Sequence, residues 1–216
     1  MIVAMLMNLA GKKVGARIQQ ALSMAGVIFL NHPVLADTLE TSKAAPYEQC
    51  GYCHEYDGNT SMGNYPKLAG QKKQYLIKQL QDYRKGQRDG KGMMEVAASL
   101  LSDQDVDIVA EHFSTQKRTL DIATGSTTQF EHAKEICTKG IPARQIIACN
   151  LCHQSADTRM PTLSGQHAEY LAIQLHDFKN KTRTNDVATI MQYLAERLTN
   201  AEITEISQYL ATGDDQ

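Results

Sequence analysis

The 216 residues carry 22 lysines and arginines against 24 aspartates and glutamates, and 42% of them are apolar. This slightly acidic balance disfavours nucleic acid as a partner, and the length allows two small domains. The composition is that of an ordinary globular protein, so its function must be sought in how particular residues are spaced.

Residues 1–36 have the features of a secretory signal peptide. Three basic residues precede an apolar run over 21–30, and Val34-Leu35-Ala36 offers the small or β-branched residues that a signal peptidase recognises. The run is shorter than the roughly 20 residues that a membrane span needs; an uncleaved anchor is the alternative. Cleavage after Ala36 would remove no acidic residue and would change the formal charge from −2 to −5.

The most informative pattern is a Cys-x-x-Cys-His run that occurs twice, 99 residues apart. Two thiols separated by two residues lie one helical turn apart, so both can form thioethers to one porphyrin while the adjoining histidine ligates the iron. We therefore predict two covalently bound haem c groups. The thioether cysteines would be Cys50, Cys53, Cys149 and Cys152, and the proximal iron ligands His54 and His153.

Two other kinds of site use Cys-x-x-Cys pairs. In zinc modules the two pairs usually lie about 12–20 residues apart, whereas 95 residues separate Cys53 from Cys149. A thioredoxin-like dithiol requires a βαβ pattern, and no strand pattern surrounds either pair. Haem attachment also agrees with export, because c-type haem is attached outside the cytoplasm, so we expect a periplasmic protein.

An internal repeat with an offset of 95 residues divides the chain. Pro66–Gln71 corresponds to Pro161–Gln166, and Tyr75, Gln79 and Arg88 recur as Tyr170, Gln174 and Arg183. We predict tandem domains over 37–124 and 125–216, with a linker over 124–127.

Each unit is predicted to be helical, which gives an all-α fold. Apolar and aromatic residues recur at helical spacing over 75–83 and over 170–178. The last helix of each unit opens with a capping box, Ser102–Asp105 in one and Thr199–Glu202 in the other. A helix before the second haem motif runs from Phe130 to Gly140, and its spacing makes Cys137 a buried small hydrophobe, with an exposed thiol as the alternative.

The repeat also indicates the sixth ligand of each iron. Counting back seven residues from Leu101 and Leu198 gives Met94 and Met191, whereas Met93 has Ile190 as its equivalent. A thioether ligand raises the reduction potential of the haem and occupies the sixth coordination position of its iron. Both effects favour electron transfer over catalysis, so we expect no small-molecule substrate. The other histidines do not repeat, and we expect them to be surface or capping residues: His112, His132, His167 and His176.

These motifs, over roughly residues 47–210, resemble the di-haem cytochrome c4 family and the related cytochrome c553 group. The resemblance implies two tandem cytochrome c-like domains, each wrapped around one covalent haem, paired about a pseudo-twofold axis with the haem edges facing a shared interface. It implies a respiratory electron carrier rather than an enzyme. Its redox partners would be a quinol-oxidising complex or other donor and a terminal oxidase or other acceptor, and loose membrane association is compatible with this role.

The resemblance further implies that the Pro66 and Pro161 carbonyls accept a hydrogen bond from the proximal imidazoles. Arg88 and Arg183 would neutralise haem propionates, with a solvated arginine face as the alternative. The sequence departs from the family where Glu55 and Gln154 replace the usual glycine. One alternative function is a di-haem subunit of an oxidoreductase such as flavocytochrome c sulfide dehydrogenase; a di-haem peroxidase would need an open or displaceable iron ligand.

Overall fold

The structure, a computed structural model, describes residues 44–120 and 130–213. The predicted signal peptide, 1–36, and the predicted linker, 124–127, lie outside the described residues. Within those residues there is no β-strand, only an isolated bridge between Ile141 and Ile146, and the predicted all-α class is confirmed.

The helices of the two halves follow each other in the same order. The first half, residues 44–120, contains α1 (Glu48–His54), α2 (Lys73–Arg84), α3 (Met93–Ser99) and α4 (Asp103–Thr115). The second half, residues 130–213, contains α5 (Glu131–Lys139), α6 (Asn150–His153), α7 (Ala168–Lys179), α8 (Ile190–Arg197) and α9 (Asn200–Thr212). Short 3₁₀ turns at Pro142–Arg144 and Val187–Thr189 precede α6 and α8. None of these helices is both long and apolar enough to cross a membrane.

Each half has its own apolar core. In the first, Leu76 and Leu80 of α2 pack with Val106, Val109 and Phe113 of α4. The equivalent core of the second half joins α7 to α9 and also takes residues from α5. Cys137 lies in that second core with no exposed surface, which confirms the prediction of a buried small hydrophobe.

Both predicted capping boxes are present. The Ser102 hydroxyl accepts from the Asp105 amide at 3.1 Å, and the Asp105 carboxylate accepts from the Ser102 amide at 2.9 Å. Thr199 and Glu202 make the same pair of bonds at the start of α9. These reciprocal bonds satisfy first-turn amides that have no partner within the helix, and they explain why α4 and α9 begin where they do.

The repeated hexapeptide joins the two halves. Gly70 and Gly165 adopt left-handed backbone angles, φ 63° and 69°, and each is followed by a buried glutamine. The Gln71 side-chain amide pairs with the backbone N–H and C=O of Thr162, at 2.8 and 3.0 Å. Gln166 pairs in the same way with Lys67, at 2.8 and 2.9 Å. The halves thus form one compact unit held by a repeated pair of contacts.

The prediction that the histidines that do not repeat are surface or capping residues holds only in part for His167, which stands at the N-cap of α7 but whose side chain makes no capping bond. His167 is buried between the halves, where its Nε2 lies 2.6 Å from the Thr60 carbonyl oxygen. His132, by contrast, is exposed on α5, as expected, and pairs with Glu205. The difference arises because His167 directly follows the interface glutamine Gln166, a placement that helical periodicity could not reveal.

Candidate haem-binding sites

Both Cys-x-x-Cys-His runs lie on short helices. Cys50, Cys53 and His54 occupy α1, and Cys152 and His153 occupy α6, with Cys149 at its N-cap in a helical conformation. Residues three apart on a helix are neighbours on one face, so each thiol pair has the placement that thioether attachment requires. Cys50, Cys53 and Cys152 carry free thiols, so neither pair is closed as a disulfide. Burial raises the pKa of the Cys50 thiol to about 11, as expected for a sulfur held in apolar surroundings.

The two imidazoles are oriented by backbone carbonyls. His54 Nδ1 donates to the Pro66 carbonyl at 3.0 Å, and His153 Nδ1 donates to the Pro161 carbonyl at 2.9 Å. A carbonyl oxygen can only accept, so Nδ1 carries the proton and Nε2 holds the lone pair that could ligate iron. Burial keeps the pKa of His54 below its usual value, although the Pro66 carbonyl acts in the opposite direction. The expectation for Pro66 and Pro161 is confirmed.

The two predicted sulfur ligands lie at matching places in the fold. Met94 is in the first turn of α3 and Met191 in the first turn of α8. Met94 is half-buried and packs on the same core as Cys50, whereas its neighbour Met93 is 55% exposed. The chain therefore brings the thioether of Met94 and the predicted haem-attachment cysteine Cys50 onto one apolar surface in the first half.

The Cys-x-x-Cys pairs do not combine into a metal site of the zinc type. Over 44–120 and 130–213, no three His, Cys, Asp or Glu side chains converge into a group that could hold a metal ion. A four-cysteine zinc site requires both pairs around one ion, whereas here α1 and α6 belong to separate halves with separate cores.

A cluster of polar residues lies between the halves. We define this interface cluster as Tyr75, Gln79 and Arg88 together with their equivalents Tyr170, Gln174 and Arg183. Arg88 donates to Gln79 of its own half at 2.6 Å and, across the interface, to Tyr170 and Gln174 at 2.8 and 2.9 Å. Arg183 donates to Gln174 at 2.7 Å and, across the interface, to Tyr75 and Gln79 at 3.2 and 3.1 Å.

The interface cluster carries an unbalanced positive charge. Both guanidinium groups are buried, 6% and 7% exposed, so the alternative of a solvated arginine face is wrong. Their hydrogen bonds go to neutral oxygens, and neither makes an ion pair within the described residues. Burial alone would raise the pKa of the Tyr75 hydroxyl, but the charges of Arg183 and Arg88 outweigh it and lower the pKa. Buried cations are normally paired with anions, so this cluster fits the acidic groups of a haem.

Taken together, these side chains fit haem c. The chain supplies paired thiols, two imidazoles whose Nδ1 atoms donate to backbone carbonyls, and buried cations for acidic groups. Sequence reasoning missed the role of Gln71 and Gln166 in joining the halves, although both lie in the repeated hexapeptide. The recurrence of a glutamine directly after the glycine in both hexapeptides was the one sequence signal that could have indicated this role.

Comparison with known proteins agrees with this chemistry. No family model matches the chain. Cytochrome c4 of Pseudomonas aeruginosa is 40% identical over 169 residues, covering 74% of this chain and 82% of the relative. The thiosulfate dehydrogenase electron acceptor of Stutzerimonas stutzeri is 32% identical over 168 residues, covering 75% and 77%.

The fold agrees as well. The crystal structure of reduced recombinant cytochrome c4 from Pseudomonas stutzeri matches with a TM-score of 0.68 and 36% identity, covering 78% of this chain and 96% of that one. Sequence and fold therefore support the same assignment over most of the chain. This protein belongs to the cytochrome c4 family of di-haem c-type cytochromes, which transfer electrons and are not enzymes.

Proposed function

We propose that His54 and Met94 ligate one haem iron and that His153 and Met191 ligate the other. The observation that carries this proposal is the pair of Nδ1–carbonyl hydrogen bonds, at 3.0 and 2.9 Å, which leaves Nε2 as the lone-pair nitrogen in both halves. The thioethers would form at Cys50, Cys53, Cys149 and Cys152. The domains would be 37–124 and 125–216, after a signal peptide over 1–36.

The ligand set suits a carrier of single electrons. When bound, each haem supplies one iron that changes between the ferric and ferrous states. The Pro66 and Pro161 carbonyls fix the imidazole rings and increase their basicity as ligands. The thioethers of Met94 and Met191 would occupy the sixth positions, which favours the ferrous state and keeps small molecules from the iron.

The interface cluster would receive haem propionates from both halves. Arg88 and Arg183 each bridge the halves through hydrogen bonds to tyrosine and glutamine. An acidic group bound there would replace neutral partners by ion pairs and would offset the buried positive charge. The same positive charge opposes oxidation of a nearby iron and so favours a higher reduction potential.

The cellular role we propose is that of a periplasmic carrier in a respiratory chain. Haem attachment outside the cytoplasm and the signal features of residues 1–36 support that location. Electrons would arrive from a quinol-oxidising complex and leave towards a terminal oxidase.

A second role, as the acceptor of a sulfur-compound dehydrogenase, is favoured by a specific observation. One relative bears the name thiosulfate dehydrogenase electron acceptor and is 32% identical over 168 residues. Mixing the oxidised protein with quinol and a quinol-oxidising complex, or with thiosulfate and its dehydrogenase, separates the two roles. Rapid reduction in only one mixture identifies the class of donor.

The ligand assignment is tested by replacing each methionine with histidine in the holoprotein. Imidazole keeps the iron six-coordinate but lowers its potential relative to thioether sulfur. We expect two one-electron steps in a potentiometric titration. Met94→His and Met191→His should each move one step to lower potential and remove about half of the weak far-red band of ferric, sulfur-ligated haem.

Met93→Leu is the matched control, because Met93 adjoins Met94 but is largely exposed. It should leave both steps and the band unchanged. A Met94→His protein with wild-type spectra, or a loss of the band in Met93→Leu, would show that the distal ligand has been assigned to the wrong residue.

A further inference from the structure

Two consecutive residues with left-handed backbone angles lie shortly before each predicted sulfur ligand, separated from it by one residue. Before Met94 these are Lys91 and Gly92, with φ 55° and 82°. Before Met191 they are Ala188 and Thr189, with φ 51° and 57°. Glycine adopts such angles without cost, but a β-branched threonine there is an outlier. The second loop is therefore strained, and strain of this kind persists only where surrounding contacts enforce it.

One carboxylate spans the strained turn of the second half. Asp186 Oδ2 accepts from the backbone N–H of Met191 at 2.7 Å and of Gln192 at 3.2 Å. Its Oδ1 accepts from the Gln192 side-chain amide at 2.7 Å. The two backbone groups are first-turn amides of α8, which have no partner within the helix and attract negative charge. Asp186 thus fixes the backbone of Met191 directly, five residues further along the chain.

The first half holds its methionine differently. Asp89 lies five residues before Met94, in the register of Asp186, yet its carboxylate accepts from the Lys91 amide at 2.7 Å. The carboxylate of Glu95 accepts from the Gly90 amide instead. Gly90 lies so close that a Cβ atom there would be 2.6 Å from the Met94 Cβ. Packing against Gly90 and the first core therefore holds Met94, without a bond from Asp89 to α3.

We propose that Asp186 is the positioning residue for the sulfur ligand of the second haem, and that Asp89 has no such role in the first. This inference rests on the assignment of Met191 as distal ligand. Without the carboxylate, the turn at Ala188 and Thr189 can relax, and the Met191 sulfur leaves the iron. The second haem then gains an open position at which carbon monoxide can bind in the ferrous state.

The test compares four variants of the full-length holoprotein: Met191→Ala, Asp186→Ala, Asp186→Asn and Asp89→Ala. The readouts are the far-red band of the ferric protein and the carbon monoxide bound per ferrous molecule, both measured where each variant remains folded, so that they report the sixth ligand of the iron. Met191→Ala should lose about half of the band and bind one carbon monoxide, since one of two haems is opened. Asp186→Ala should approach that result, and Asp89→Ala should match the wild type.

Asp186→Asn keeps the side-chain shape and one acceptor oxygen, so it should lose less of the band than Asp186→Ala. It also replaces the alanine variant in the test if that variant does not accumulate. A full band in Met191→Ala would overturn the ligand assignment itself. If Met191→Ala loses half of the band while both Asp186 variants keep the band and the carbon monoxide binding of the wild type, only the role of Asp186 is overturned. Equal losses in Asp89→Ala and Asp186→Ala would overturn the difference between the halves.

Discussion

The residue that follows each haem motif has a different backbone conformation in the two halves. Glu55 adopts φ 63° and ψ 154°, a region that is essentially confined to glycine, whereas Gln154 adopts φ −97° and ψ 2°. The resemblance to cytochrome c4 suggested glycine at both positions. The structure shows why only one departure matters: the backbone conformation after His54 favours glycine, whereas that after His153 does not.

This difference predicts opposite effects of the same substitution. Glu55→Gly should relieve about 1–3 kcal/mol of strain and lose about 0.4–1 kcal/mol through the more flexible unfolded chain, so we expect a net gain of about 1 kcal/mol. Gln154→Gly should lose about 0.4–1 kcal/mol, because only the unfolded-state effect applies. Urea denaturation of the holoprotein measures both, and equal effects of the two changes would contradict the strain at Glu55.

At the scale of helices, sequence patterns predicted where α4 and α9 begin but not what else their caps contact. The capping boxes are local and could be read from residues three apart. Arg144, which binds Glu202 and the Arg197 carbonyl, lies 58 residues earlier in the chain than Glu202, in the turn that precedes α6. Such a contact depends on how α5, α6 and α9 pack, so no local pattern could indicate it. It ties the start of α9 to the segment carrying the second haem motif.

The cap of α9 should therefore make stability depend on pH. The hydrogen bond from Arg144, together with those from Thr199, lowers the pKa of Glu202 to about 2, against an unfolded value of 4.5. A depressed carboxyl pKa gives stability that is complete above about pH 4.5 and is lost as the pH falls towards about 2. Glu202→Gln should thus be least stable relative to the wild type at neutral pH, and this difference should shrink over that range.

Arg144→Gln provides the second arm of this test, because it removes the main cause of the lowered pKa. Denaturation midpoints measured between pH 7 and pH 2 should show this pH dependence lost in Glu202→Gln and reduced in Arg144→Gln, because the bonds from Thr199 remain. A difference between wild type and Glu202→Gln that stays constant with pH would contradict the role of the charge.

For the whole molecule, the repeat predicted which residues are equivalent but not that equivalents would meet. The helical spacing over 75–83 places Tyr75 and Gln79 on the same face of the predicted helix as Leu76 and Leu80. In the structure the leucines enter the core of their own half, whereas Tyr75 and Gln79 contact Arg183 of the other half. Periodicity reports how amphipathic a helix is, and it cannot separate a surface buried within a domain from one buried between domains. The prediction of two covalently bound haems followed from the spacing of the Cys-x-x-Cys-His runs, whereas the interface cluster required the packed fold.

Gln71 pairs with Thr162 and Gln166 pairs with Lys67, and we call these pairings the two glutamine bridges. Although the two glutamines are equivalent in the repeat, they should contribute unequally to stability. Gln166→Ala removes two hydrogen bonds from the backbone of Lys67, a residue only 1% exposed. Gln71→Ala removes two from Thr162, which is half-buried and whose carbonyl also accepts from Arg118 at 3.4 Å. Lost hydrogen bonds cost more where water cannot replace them, so we expect about 2–3 kcal/mol for Gln166→Ala and about 1 kcal/mol for Gln71→Ala.

Chemical denaturation of the holoprotein measures these costs, with Gln74→Ala on the exposed side of α2 as the control that should change stability little. The double variant Gln71→Ala with Gln166→Ala tests whether the bridges also make the halves unfold together. If they do, its unfolding should broaden or separate into two transitions, because each half retains its own core. Equal costs for the two single variants would contradict the role of solvent access at Lys67 and Thr162. A double variant that unfolds as sharply as the wild type would show that the halves are held together mainly by the interface cluster and not by the glutamine bridges.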